Sequence, residues 1–305
     1  MTFTYKTGVA FKTALSQRIR NQADATNRLP SELQREFFMQ RFLARVFAEP
    51  DAPWMVKGGG GLLVRIPGAR HSKDIDLVHR EADLDQALAE LQQLCAHSRL
   101  DPFLFQLEVR KRLRGMTSGV ELSATAFFGT TLLARPFPID LAVHRELVGE
   151  VDYIAPPPIV EIPGVAKLPA FAVYPLADQI ADKVAAMYEM HGTTGATAST
   201  RWRDLVDLLL ITHRFPLDAA KTRAAIEGQR RRRGITLPTT IQSPGLGWEE
   251  GYRRLAQKTV LPRGLHQLAA ALESVGECLN PLLDGTVTEG RWNPSTRRWE
   301  RSAVD

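Results

Sequence analysis

The sequence predicts an α/β (α+β) chain, mixed in its N-terminal part and helical in its C-terminal part. Three observations carry this. Between about residues 54 and 143, short apolar runs such as WMV, FLFQLEV, GVELSATAFF and PFPIDLAV have the length and residue types of strands. From Pro175 onward the apolar residues recur at helical spacing, as in PLADQIADKVAAMYEM and RWRDLVDLLLITHRF. Between these regions lie Pro156 to Pro158 and PGVAKLP, which suit an exposed connection. The expected division is 1–165 and 166–305.

Taken in order, the elements have local reasons. Leu33, Phe37, Phe38, Phe42, Leu43 and Val46 form one apolar face, so a helix is expected with Ser31 as N-cap, closed by Asp51, Ala52 and Pro53. WMV then reads as a buried strand running into GGGG, and LLVRI as the first turns of a helix ended by Pro67 and Gly68. KDIDLV alternates at period two, which places Asp74 and Asp76 on one face and turns Ile75 and Leu77 inward. A helix follows through Leu84, Leu88, Leu91 and Leu94, capped by Asp83. Three strands come next, the first two separated by the basic turn RKRLRG and the last carrying Asp140 in apolar surroundings. The C-terminal helices continue with LDAAKTRAAIEGQ, EEGYRRLAQ and LHQLAAALESVGECL.

Composition narrows the function classes. With 305 residues, 44% of them hydrophobic and 24% charged, the chain can bury sizeable cores. Cys95 and Cys278 lie far apart without further cysteines, which argues against a disulfide framework or a zinc cluster. No apolar run approaches the ~20 residues of a membrane span, and the first residues lack a secretory signal pattern, so no membrane association and a cytoplasmic location are expected. The net charge of +5 is locally concentrated. Arg230, Arg231, Arg232 and Arg233 form one run, Arg110, Lys111, Arg112 and Arg114 a second, and the tail mixes arginine with Trp292 and Trp299. Each is a candidate phosphate contact, with the aromatics as stacking surfaces for bases; each is also the composition of a solvated face.

The stretch WMVKGGGGLLVRIPGARHSKDIDL holds the densest chemistry. Two carboxylates spaced D-x-D can hold magnesium while leaving coordination positions for substrate phosphates. Glycines let backbone N–H groups approach those phosphates, since no Cβ intervenes. Together they describe phosphoryl or nucleotidyl transfer. Taken alone, D-x-D is common and a glycine run is usually a loop; the conjunction is the signal.

The order V-K-G-G-G-x-L, H-S-x-D-I-D-L, A-D-K-V-A-A and R-D-L-V-D-L resembles the nucleotidyltransferase-like toxins of the AbiEii family, including the mycobacterial MenT group. The resemblance runs from about residue 30 to 215. It implies a bilobed protein with a polymerase β-like minimal nucleotidyltransferase domain and a helical C-terminal lobe. It also implies a toxin of a toxin–antitoxin system, with a cognate antitoxin as partner, that transfers NMP from an NTP with Mg2+ onto the 3′ acceptor end of tRNA and so blocks translation. Carried onto this chain, Gly58 and Gly59 with Lys57 match the glycine motif, Asp74 and Asp76 the metal pair, and Ser72 a phosphate-contacting or modifiable serine. Lys183 matches the third-motif lysine and Asp204 the fourth-motif acid, with Asp207 as its alternative register; Asp140 is a further possible metal ligand. Physically, Lys183 would bring a point charge to the triphosphate, and Asp204 would orient it or act as a base.

Two departures and several alternatives stand beside this. Gly60 and Gly61 occupy places where a threonine or serine is common after the two glycines. Taken alone, Lys183 reads as a surface lysine on a helix whose Leu176, Ile180, Val184 and Met187 face a core. Asp204 and Asp207 read equally as acids favoured near a helix N-terminus, and His71 as an exposed loop histidine. Besides RNA-directed transfer, a relative that modifies or binds a protein partner, or an RNA-binding module without catalysis, remains open.

Overall fold

The computed structural model describes residues 4–96, 98, 100–113, 119–143, 146–192 and 197–301. The chain separates into two compact units, one of residues 1–145 with 152–173 and one of residues 146–151 with 174–305. Central mixed sheet and flanking helices make it the α/β chain expected from the sequence.

The first unit opens with helices α1 (Gly8–Thr26) and α2 (Pro30–Val46). Helix α1 is an element that the sequence patterns above do not call. Its buried residues Phe11, Leu15, Ile19 and Ala23 recur every fourth position, a stripe too narrow to stand out among polar neighbours. Thr7 caps it, its hydroxyl accepting the Ala10 N–H at 3.2 Å. Helix α2 starts at Pro30, whose fixed φ and missing N–H suit the first helical position, so Ser31 lies inside the helix rather than capping it. Strand β1 (Trp54–Lys57) passes directly into α3 (Gly58–Arg65), then come β2 (Ile75–His79), α4 (Leu84–Ala96), β3 (Leu104–Leu113), β4 (Gly119–Phe128), β5 (Thr131–Leu132), β6 (Phe137–Val143), β7 (Asp152–Ile154) and β8 (Phe171–Val173). Asp83 does cap α4, accepting the N–H groups of Asp85 and Gln86.

The sheet order is β3-β4-β6-β2-β1-β8-β7, with β5 on β4. Strand β2 runs antiparallel to β1 and parallel to β6, and β6 antiparallel to β4. The expected basic turn after FLFQLEV is instead strand: β3 continues through Arg110, Lys111 and Arg112, with a bulge between Val109 and Lys111. An exposed edge strand tolerates such charges on both faces, which is why the polar run did not end it. Arg114 lies outside the described residues. Edge-to-face contacts join Phe11, Phe37 and Phe38 to Phe103, and Phe42 to Phe105 and Phe137, so α1 and α2 bury their apolar faces on the sheet. Through this core runs a buried ion pair, Arg45 to Asp101 at 2.6 Å, with Arg45 also donating to the Cys95 carbonyl. Removing Asp101 would leave two buried guanidinium groups, Arg41 and Arg45, short of a carboxylate, a loss of about 3–5 kcal/mol.

The second unit is mainly helical: α5 (Leu176–Tyr188), α6 (Trp202–Thr212), β9 (Leu217–Asp218), α7 (Ala219–Arg233), α8 (Trp248–Ala256), a 3-10 turn (Arg263–His266) and α9 (Leu268–Leu283), then β10 (Arg291–Asn293) and β11 (Arg298–Glu300). The arginine and tryptophan tail forms the hairpin β10–β11, to which β9 adds a third strand. Trp292 is 1% exposed and its indole N–H donates to the Thr212 carbonyl at 2.7 Å, while Trp299 donates to the Cys278 carbonyl. Trp292 is therefore core and presents no face to a base, whereas Trp299 stays partly exposed.

Candidate active site

The glycine run is helical rather than a loop. Helix α3 begins at Gly58, directly after β1, and the four glycines divide by the neighbours they meet. Gly58 has φ +60°, a left-handed conformation that side chains rarely adopt, and a methyl group there would collide with the Asp76 carboxylate. At Gly59 a methyl group would fall 2.6 Å from Ser72 Oγ and 3.0 Å from the Arg70 guanidinium. Gly60 and Gly61 turn the other way: the nearest atoms to a methyl group would be Val56 Cγ2 at 3.4 Å and the Val56 carbonyl at 3.0 Å, respectively. Two glycines thus serve the charged side of the sheet and two its packing. A helix that starts at this point also places the positive end of its dipole beside the carboxylate row, which favours an anion.

Register aligns the carboxylates. Asp76 pairs with Lys57 on β1 and with Asp140 on β6, and Asp140 pairs with Glu121 on β4. Directly paired residues project from the same face, so Lys57, Asp76, Asp140 and Glu121 form a charged row across four strands. Their chain neighbours Ile75, Leu77, Ile139, Leu141, Val120 and Leu122 fill the opposite, buried face. Asp74 lies just before β2 and is oriented by Ser72, whose hydroxyl donates to its Oδ1 at 3.0 Å. Ser72 itself is 2% exposed. Partial burial, then the charges of Asp76, Asp74 and Glu121, push the Asp140 carboxyl up to about 6 against the pull of Lys57. Glu121 escaped the sequence reading because it lies in the middle of an ordinary-looking strand; only register brings it beside Asp140. Arg70 escaped it too, since its position over Gly59 depends on the course of the loop.

These donors fit a divalent cation. Burial and then repulsion lift Asp140, a bound cation would relieve the repulsive part, and all the donors are hard carboxylate oxygens. Among the described residues no three His, Cys, Asp or Glu side chains close into a cage. A hard cation held by one or two of these carboxylates would take phosphate oxygens and water to complete its shell.

In the second unit, Lys183 of α5 is not a surface lysine: it is 6% exposed and donates to Asp204 Oδ1 at 3.1 Å and, more closely, to Asp207 Oδ2. Both acids belong to α6, three residues apart and so on one face. Lys183 binds both, so contact alone does not separate Asp204 from Asp207. Arg201 adds a second cation, its Nε 2.7 Å from Asp204 Oδ2. Arg230 to Arg233 form the last turn of α7, where positive charge offsets the helix dipole. Arg230 pairs with Glu227 on its own helix, whereas Arg233 reaches Glu189 at 2.6 Å and Asp182 at 3.4 Å on and beside α5. Arg230 and Arg231 keep side-chain exposures of 44% and 69%. His71 is likewise no free loop residue, being 14% exposed at its side chain and bonded to α2.

Compared with known families, residues 41–274 match the model described as nucleotidyl transferase AbiEii toxin, type IV TA system. No curated protein matches in sequence. Among solved structures, the nucleotidyltransferase toxin MenT4 from Mycobacterium tuberculosis H37Rv is similar with TM-score 0.51 and 17% identity, over 94% of this chain and 99% of that one. JHP933 from Helicobacter pylori is similar with TM-score 0.46 and 14% identity, over 84% of this chain and 94% of that one.

Proposed function

We propose, from the premise that the chain belongs to the AbiEii nucleotidyltransferase toxins of type IV toxin–antitoxin systems, that it transfers a nucleoside monophosphate from an NTP onto the 3′ acceptor end of tRNA. The single observation that supports a nucleotide site here is the carboxylate row beside a glycine-started helix, with Gly58 packed on Asp76. Magnesium bound by Asp74 and Asp76 would neutralise the triphosphate and polarise its α-phosphorus. Backbone N–H groups at Gly58 and Gly59 would receive phosphate oxygens, and Lys57 and Arg70 would add positive charge. The acceptor hydroxyl oxygen forms a bond to the α-phosphorus as the α–β anhydride bond breaks and pyrophosphate leaves. Asp140, paired in register with Asp76 on the charged row, would take the hydroxyl proton. Lys183 is held in place by Asp204 and Asp207; ion-paired to both Lys183 and Arg201, Asp204 is better suited to orientation than to proton transfer. Arg230 and Arg231, the more exposed of the run, would meet RNA backbone. A tRNA substrate would place the protein in the cytoplasm, and among the described residues no helix is long and apolar enough to cross a membrane.

The test is incubation of the purified protein with each labelled NTP, magnesium and total tRNA. A labelled tRNA band is expected, and it should vanish with Asp74→Ala. Lys183→Ala should also abolish it, but that change removes the ammonium from two buried carboxylates, so Asp74→Ala is the cleaner variant. Unlabelled tRNA with all four NTPs would sink the reading. Labelled protein instead would favour the protein-directed alternative, which gains weight from the burial of Trp292 and the pairing of Arg233 within the fold.

A further inference from the structure

We propose that Arg35 and Glu36 of α2 are positioning residues for nucleotide binding, acting through His71 on the loop that carries Arg70, Ser72 and Asp74. The inference rests on the nucleotidyltransferase reading above. His71 is clamped at both ring nitrogens by consecutive residues of one helix: Nε2 lies 3.1 Å from Arg35 Nη1, and Nδ1 lies 3.3 Å from Glu36 Oε1. A guanidinium can only donate, so Nε2 accepts, and the neutral ring carries its proton on Nδ1, where the Glu36 carboxylate accepts it. Glu36 is 5% exposed and also accepts from Arg28. Burial would raise its pKa, but the bonds from His71 and Arg28 outweigh that and hold the carboxyl below its ordinary value, so it stays a charged acceptor.

The residues on either side of His71 are the ones that meet the glycine helix. Arg70 and Ser72 occupy the space over Gly59, and Ser72 passes the constraint on by donating to Asp74 Oδ1. A chain of contacts therefore runs from α2 through His71 to one face of the glycine turn and to one metal-binding carboxylate. An ion pair made only to hold α2 would need Arg28 and Glu36 alone; it would need neither the histidine nor Arg35 on its far nitrogen. Both clamp residues precede residue 41, where the family match begins, and neither lies in the motifs that carry the resemblance. A loop held at one fixed histidine presents its neighbours in one geometry, and loss of such outer contacts typically weakens binding about 10- to 100-fold.

The experiment measures binding of non-hydrolysable analogues of the four NTPs, with magnesium, to the full-length protein by calorimetry, with a thermal melt on each variant. Glu36→Leu and His71→Ala should each weaken binding of the preferred analogue about 10-fold or more. Glu36→Gln, which keeps an acceptor oxygen, should recover most of the loss. Combining Glu36→Leu with His71→Ala should be no worse than either alone, because both break one clamp. In the transfer assay the same variants should raise KM for the NTP and leave kcat near the wild-type value; a merely structural loss would instead lower kcat through the folded fraction. If Glu36→Leu does not fold, His71→Ala, at a partly exposed site, carries the test. Wild-type affinity in His71→Ala, or additive losses in the double variant, would overturn the inference alone. Failure of the wild type to bind any analogue would overturn the nucleotide reading and this inference with it.

Discussion

Single positions show how different four identical residues can be. Gly58 is constrained by its φ of +60° and by Asp76, so Gly58→Ala should remove nucleotide binding by displacing the carboxylate proposed to hold the metal. Gly60 meets only a valine methyl at 3.4 Å, so Gly60→Ala should be tolerated and should raise stability by about 0.5–1 kcal/mol through better helix propensity, measurable as a rise in denaturant midpoint. The departure from the family pattern at Gly60 thus falls at a position with room for a methyl group. Asp140 makes a pH prediction. Its folded pKa of about 6 lies above the ordinary 3.8, so its contribution to stability is complete below 3.8 and is lost as pH rises through about 6. Asp140→Asn should therefore raise the melting temperature of the metal-free protein at pH 8 and hardly change it at pH 4, while weakening the stabilisation produced by added magnesium. Equal shifts at both pH values would show that burial and the neighbouring carboxylates do not raise the Asp140 carboxyl.

Among the elements, α5 and α6 are joined by the Lys183, Asp204 and Asp207 network as well as by apolar faces. Asp207 is 0% exposed, so Asp207→Ala should cost about 3–5 kcal/mol in equilibrium unfolding, more than loss of the partly solvated pair between Arg230 and Glu227. A small cost would mean that the network matters for chemistry and not for packing. The helix and strand patterns of these regions were legible because their apolar periods are long and regular; β3 was cut short because charges on an edge strand imitate a turn. In the same way α1 was hidden by its narrow apolar stripe, whose partners are the distant Phe103 and Phe128.

At the scale of the whole molecule, the chain crosses between its two units more than once, since 146–151 belong with 174–305 while 152–173 return to the sheet. That return supplies β8, which lies parallel to β1 and packs Val173 near Gly61. A fragment of residues 1–173 should therefore melt cooperatively and at a higher temperature than one of residues 1–165, in which β1 loses one of its two neighbours; equal melts would show that β8 adds nothing to the sheet. Local chemistry was enough to read the fold class, the helix faces and the motifs of the family, because periodicity and residue type depend on neighbours along the chain. The row from Lys57 through Asp76 and Asp140 to Glu121, the burial of Lys183 between two aspartates and the clamp on His71 were decided by strand register and helix packing. Those join residues tens of positions apart, and the sequence records no distance between them.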